Sequence, residues 1–276
     1  MSFDRLIERI IELKNPTVVG LDPKLEYVPE YIKRRYLDDD GGTLKAAAKA
    51  IFAFNQAIID EIHDIVPAII TDGKRNDIGA TMEAYTNAHL GSVDVCGNEI
   101  KPFDADALTV NGYLGTDGIE PLLKVCRERD KGIYVLVKTS NKSSGELQDL
   151  KLADGRTIYE TMGDMCEKWG SDTIGKYGYS AVGAVVGATY PEMLSELRER
   201  LPHTMFLVPG YGAQGGGAEG LKGGFDKNGL GAIVNSSRAV MCAYKKEGCD
   251  ERDFAKSARR EAIRMRDDIT QYINLK

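Results

Sequence analysis

Short apolar runs rich in β-branched and small residues alternate along this chain with longer stretches of helical periodicity, and that alternation constrains the fold most strongly. The runs cover residues 17–21, 68–71, 107–110, 132–137, 181–186, 205–208 and 231–234. Each is nearly continuous in apolar residues, as in strands covered on both faces. Helical patterns over 4–13, 43–65, 80–90, 118–129, 157–169, 191–200 and 250–273 fill the intervals. Thr189 reads as an N-cap, with Pro191 in the first helical turn.

Strands separated by helices give a parallel sheet. A doubly wound sheet would want GxGxxG after its first strand, where this chain has Gly20-Leu21-Asp22-Pro23. Polar residues instead follow nearly every strand, the distribution of an α/β barrel whose site lies at the C-terminal strand ends. The expected architecture is a single (β/α)8 TIM-barrel domain over residues 1–276. Only seven strands are found, so one βα unit, the second strand and its helix, is absent. The shortfall falls between Asp22 and Asp72, where a loop and one long helix run directly into the Asp72 strand.

Composition narrows the function. A net charge of -6 and a pI near 5.3 argue against a nucleic-acid surface, but leave room for a small anion held by a few local cations. Cys96, Cys126, Cys166, Cys242 and Cys249 contain no CxxC pair and read as reduced thiols. His63, His89 and His203 are scattered and form no HExxH, so a zinc site has no support in the sequence. With no signal-peptide pattern and no 18-residue apolar stretch, a cytoplasmic protein without a membrane partner is expected.

Two constellations carry chemistry. In Asp72-Gly73-Lys74-Arg75-Asn76-Asp77, residues i and i+2 of a strand share a face, so Asp72 and Lys74 are expected together in the barrel mouth. A buried lysine held charged by carboxylates can protonate carbon or stabilise a carbanion. An exposed ion pair in a turn is the alternative, which the strand-end location disfavours. The second constellation pairs the loop from Pro209 to Gly217, including Gln214 and Gly215, with Asn235-Ser236-Ser237-Arg238. Glycine-rich backbone and an arginine after the last two strands suit a phosphate. Asp22, Asn111 and Ser140 are further strand-end polar residues, each equally readable as a turn or cap. Segments 148–156 and 222–228 read as surface insertions.

Together these segments resemble the orotidine 5′-phosphate decarboxylase family, specifically its longer bacterial (type 2) subfamily. The similarity runs in order through Val19 to Asp22, Phe54 to Asp60, Asp72 to Thr81, Thr109 to Gly115, Val137 to Ser144, Pro209 to Gly216 and Asn235 to Arg238. It implies cofactor-free decarboxylation of orotidine 5′-phosphate to uridine 5′-phosphate in pyrimidine biosynthesis. By position, Lys74 protonates C6 and Asp72 orients it. Asp77, Ile78 and Thr81 reach the neighbouring subunit's site in a homodimer. Asp22 contacts ribose, Ser140 the pyrimidine, and Gln214 with Arg238 the phosphate.

Asn76 and Gly79 depart from the family's commonest residues, a minor difference. More serious is the jump from Val66-Pro67-Ala68 into Ile69-Ile70-Thr71-Asp72, which lacks roughly thirty residues and the first lysine of the family's Lys-Asp-Lys-Asp array. Loss of one unit should prevent barrel closure, so such a unit is expected to belong between Pro67 and Ile70. If the chain truly lacks it, a catalytically impaired nucleotide-binding homologue is the alternative. A sugar-phosphate epimerase or hexulose-phosphate synthase is another.

Overall fold

The computed structural model describes residues 3–38, 41–188, 191–212 and 217–275. Seven parallel strands form one curled sheet: β1 (Thr17–Val19), β2 (Ile70–Arg75), β5 (Ala107–Val110), β6 (Gly132–Lys138), β7 (Val182–Val186), β8 (Phe206–Pro209) and β9 (Ala232–Ser236). Two further strands, β3 (Val93–Val95) and β4 (Asn98–Ile100), pair antiparallel as a separate hairpin. The larger helices are α1 (Asp4–Leu13), α2 (Glu30–Leu37), α3 (Leu44–Ile62), α4 (Gly79–His89) and α5 (Thr116–Arg129) in the first half. The second half holds α6 (Gly145–Gln148), α7 (Ile158–Gly170), α8 (Pro191–Arg200), α9 (Arg238–Met241), α10 (Ala243–Glu247) and α11 (Phe254–Thr270).

Sheet order is β1-β9-β8-β7-β6-β5-β2. β1 and β2 are therefore the two ends of the sheet, and the expected shortfall of one strand lies between them. β1 pairs with β9 from Thr17↔Val234 to Val19↔Ser236, and β2 pairs with β5. The helical layer is interrupted at the same place: α3 packs on α2 and α11, while α4 packs on α5. We call this opening the seam.

Local sequence explains the elements. Asn15 Oδ1 accepts from the Thr17 N–H at 3.0 Å and from the Thr17 hydroxyl at 2.7 Å, fixing the entry to β1. Thr43 caps α3 by accepting from the Ala46 N–H at 3.2 Å. Thr157 and Glu160 form a reciprocal capping box on α7. Thr189, the anticipated cap of α8, lies outside the described residues.

The barrel interior is filled by Tyr134, Val185, Leu207 and Ile233, and α1 closes its N-terminal end. Phe3 stacks on Tyr134 with ring centroids 4.9 Å apart. A second apolar layer joins the outer faces of β5–β9 to α5, α7, α8 and α11. Burying a side chain such as Phe206 there stabilises by about 1.5–3 kcal/mol. Several elements were not anticipated: α2, inside the presumed loop after Asp22, the short helices α6, α9 and α10, and the β3–β4 hairpin. The hairpin turns through Cys96 (φ 54°) and Gly97 (φ 84°), two left-handed residues as in a type I′ turn.

Candidate active site

In a parallel sheet all strand C-termini share one face. Asp22, Asn111, Ser140, Pro209, Ser237 and Arg238 accordingly lie at or just beyond the C-terminal ends of β1, β5, β6, β8 and β9, and Asp72 and Lys74 lie within β2, towards its C-terminal end.

At β2 the ladder is irregular. Thr71 lies opposite Leu108 and Arg75 opposite Val110, so Asp72-Gly73-Lys74 occupies the span of one residue on β5. This bulge brings its two charged side chains together. Gly73 permits it, since a Cβ there would lie 3.0 Å from Leu108 Cδ1. Lys74 adopts φ 49°, a left-handed conformation that costs a non-glycine residue about 1–3 kcal/mol and is concentrated at functional sites. The Lys74 ammonium pairs with Asp72 Oδ2. The Thr109 hydroxyl donates to Asp72 Oδ1 at 2.7 Å and accepts from the Lys74 N–H at 3.1 Å. Thr109 is buried, so it anchors both ends of the pair to β5.

The pair is together but not buried, contrary to expectation: the Lys74 and Asp72 side chains are 49% and 61% exposed. β2 is an end of the sheet, and among the described residues no strand covers the seam side of this pair.

The following turn is pinned to the loop after β5. Asn76 Nδ2 donates to the Asn111 carbonyl at 2.5 Å, and Asn76 Oδ1 accepts from the Asp77 N–H at 2.9 Å. Gly118 makes room, because a Cβ there would lie 2.5 Å from Asn76 Nδ2. Asp77 Oδ1 accepts from the Ile78 N–H at 2.8 Å. Ile78 and Thr81 are exposed at the start of α4. Asn111 Oδ1 accepts from the Tyr113 N–H at 2.9 Å, a cap on the turn that follows β5.

Two strands along the sheet, at the end of β6, Lys138 is buried, paired with Asp149 and 5.4 Å from the centre of the Tyr159 ring. Gln148 Oε1 accepts from the Thr139 N–H at 3.0 Å, and Gln148 Nε2 donates to the Thr139 hydroxyl at 2.8 Å. Residues 148–149, anticipated as a surface insertion, thus clamp the strand end preceding Ser140. Ser140 packs on Gly187, where a Cβ would meet Ser140 Cβ at 2.9 Å.

The third cluster joins β8, β9 and β1. Pro209 lies opposite Asn235, whose Nδ2 donates to Ser237 Oγ at 3.4 Å. Gly20 is required here: a Cβ would lie 1.9 Å from Ser237 Oγ and 3.2 Å from Asp22 Oδ1. Arg238 is exposed and makes no ion pair with any described carboxylate. Gln214 and Gly215 lie outside the described residues.

Burial holds the Cys126 thiol up to about 12 and pushes Cys166 up strongly, so these are inert core thiols. Among the described residues no helix is long and apolar enough to cross a membrane.

The model of the orotidine 5′-phosphate decarboxylase / HUMPS family matches residues 19–248. Similar curated proteins include orotidine 5′-phosphate decarboxylases from Caldicellulosiruptor bescii, 38% identical over 98% of each chain, and from Rhodopirellula baltica, 39% identical over 94% of this chain and 96% of that one. The Clostridium tetani enzyme of the same name is 37% identical over 100% of both chains. That comparison spans 308 positions against 276 residues, leaving 32 positions without a counterpart here. Among solved structures, the Leishmania donovani OMP decarboxylase is 27% identical with a TM-score of 0.62, covering 96% of this chain and 99% of its own. A Toxoplasma gondii structure assigned to the same enzyme is 29% identical with a TM-score of 0.69, covering 98% of each. From residue 19 to residue 248, this chain belongs to the orotidine 5′-phosphate decarboxylase / HUMPS family.

Proposed function

We propose that this chain, acting as one barrel domain, decarboxylates orotidine 5′-phosphate to uridine 5′-phosphate, with Lys74 as the proton donor. The observation carrying this reading is the Asp72–Lys74–Thr109 cluster on a bulged strand end in a chain that matches the decarboxylase family. The family name also covers hexulose-phosphate synthases, but curated relatives at 36–39% identity bear the decarboxylase name.

In the reaction the bond between C6 and the carboxylate carbon breaks, carbon dioxide departs, and the electron pair stays on C6. The Lys74 ammonium stabilises that developing charge and then transfers its proton to C6; water reprotonates the amine. Asp72 pairs with the ammonium and orients it, and presses against the substrate carboxylate before it leaves. Ser140 meets the pyrimidine and Asp22 the ribose. Arg238, with Pro209, Ser237 and the Gln214–Gly215 stretch, takes the phosphate. Binding energy gained at the phosphate supports events at the ring. No metal or organic cofactor takes part.

Asp77, Ile78 and Thr81 serve the neighbouring subunit's site in a homodimer, a reading supported by the exposure of Ile78 and Thr81 at the start of α4. The enzyme works in the cytoplasm.

The open seam favours a second reading, a homologue that retains nucleotide affinity with impaired turnover. Loss of orotidine 5′-phosphate absorbance, followed for wild type and Lys74→Ala beside uridine 5′-phosphate binding, separates the two. Turnover in wild type that the variant lacks supports the decarboxylase; binding without turnover in both supports the impaired homologue. Undiminished turnover in Lys74→Ala would refute the role of Lys74.

A further inference from the structure

One buried polar pair close to the β8 and β9 strand ends has no part in the chemistry described above. Tyr211 follows β8 by two residues and precedes the Gln214–Gly215 stretch in the sequence. Gly210 (φ 106°) and Gly212 (φ 75°) flank it, and these left-handed conformations, which only glycine adopts readily, let the backbone turn sharply on both sides of one buried residue. Tyr211 is 4% exposed and belongs to the outer apolar layer that also holds Met265 and Ile269 of α11. A buried tyrosine needs a partner for its hydroxyl. The Tyr211 hydroxyl donates to Asp268 Oδ2 on α11. Burial, and then that carboxylate, hold the phenol up to about 12, so it stays a donor at ordinary pH. Asp268 is itself held in place, because Met265 three residues before it and Ile269 directly after it are buried.

The backbone of Tyr211 is tied as well. Its carbonyl accepts from the Ser236 hydroxyl at 3.5 Å, and Ser236 is the buried residue directly before Ser237 and Arg238. The Ser236 carbonyl accepts from the Gly20 N–H at 3.1 Å, and the Pro209 carbonyl accepts from the Ala188 N–H at 3.1 Å. Past the Gln214–Gly215 stretch, Ala218 and Leu221 are buried in the same apolar layer as Tyr211.

We propose that Tyr211 and Asp268 are positioning residues for the substrate phosphate. Through them α11, in the helical layer outside the sheet, sets the loop after β8 in register with Ser237 and Arg238. The Tyr211 hydroxyl is committed to α11, so it acts through the loop backbone and not on the ligand. Backbone N–H groups cradle an anion only where they converge, and a misplacement of about 1 Å can cost on the order of 10²-fold. The inference rests on the phosphate half of the proposed function and deepens it; its test has no catalytic readout.

Calorimetric titration of the full chain with uridine 5′-phosphate and with uridine tests the tether. Tyr211→Phe keeps the buried ring and removes only the hydroxyl, so its circular dichroism should be that of wild type. It should weaken uridine 5′-phosphate about tenfold and leave uridine within about twofold. Asp268→Ala should match that loss, and the double variant should lose no more than either single one. Asp268→Asn, which keeps an acceptor for the phenol, should recover most of the affinity. Unchanged uridine 5′-phosphate binding by folded Tyr211→Phe overturns the proposal. So do equal losses for uridine and uridine 5′-phosphate, which a merely structural contact would give, and additive losses in the double variant. Failure of wild type to bind uridine 5′-phosphate would overturn the phosphate reading and this inference together, whereas binding that Tyr211→Phe leaves intact refutes the tether alone.

Discussion

Two lysines at the ends of parallel strands fare differently. Lys138 on β6 is 3% exposed, with Asp149 beside it and Tyr159 beneath it. Lys74 on β2 carries a carboxylate partner too, yet stands 49% exposed. The difference lies in their neighbours. β6 is flanked by β5 and β7, and α7 covers it, whereas β2 has β5 on one side and the seam on the other. A strand end inside the sheet inherits a low-dielectric surround, while the same chemistry at an edge stays in contact with water.

The largest expected effect sharpens this contrast at the chemistry. Lys74→Ala should lower decarboxylation by about 10³-fold or more, while uridine 5′-phosphate binding changes little. Lys138→Met should act chiefly on thermal stability and only secondarily, through Ser140, on turnover. In the cores, Phe206→Ala on β8 should cost about 3–5 kcal/mol in denaturant unfolding. Ile69→Ala at the seam should stay within about 0.5 kcal/mol. Equal losses would break the comparison.

Removing the carboxylate partners should separate the two pairs. Asp149→Ala leaves the buried Lys138 ammonium uncompensated; with Asp149 itself half exposed, about 2 kcal/mol of destabilisation is expected. Asp72→Asn should cost less than about 1 kcal/mol of stability while strongly impairing turnover. Arg238→Ala should weaken uridine 5′-phosphate binding roughly 10- to 100-fold, the worth of one charge-assisted contact. Uridine, lacking the phosphate, should be insensitive to that change.

The smallest effect concerns pH. The Arg259 guanidinium holds the Asp64 carboxyl down to about 2, tying the end of α3 to α11. Because its folded value is depressed, this contribution is complete above the ordinary carboxylate range near 3.8 and fades as pH falls through about 2. The stability advantage of wild type over Asp64→Asn should therefore be constant above pH 5 and shrink towards pH 2.

Much of this could be read from residue patterns, for physical reasons. Continuous apolar runs located all seven sheet strands, 107–110 to the residue, because strands buried on both faces carry little else. Counting them located the seam as well. The bulge could not be read: Asp72-Gly73-Lys74 looks like an ordinary strand end until Thr109 and Leu108 of β5 are placed opposite it. The clamp of Gln148 and Asp149 on β6 was hidden for the same reason, since both look like surface residues until Lys138 and Thr139 are brought beside them. The β3–β4 hairpin did leave a signal, Val-Asp-Val before Cys96-Gly97 and Asn-Glu-Ile after it, which its position between a helix and a strand obscured.

Closed sheet against open seam is tested most directly by amide hydrogen exchange on the free chain. Seam-facing amides of β1 and β2 are expected to exchange orders of magnitude faster than those of β6 and β7. Equal, slow exchange across all four strands would mean that the barrel is closed in solution and would contradict the account.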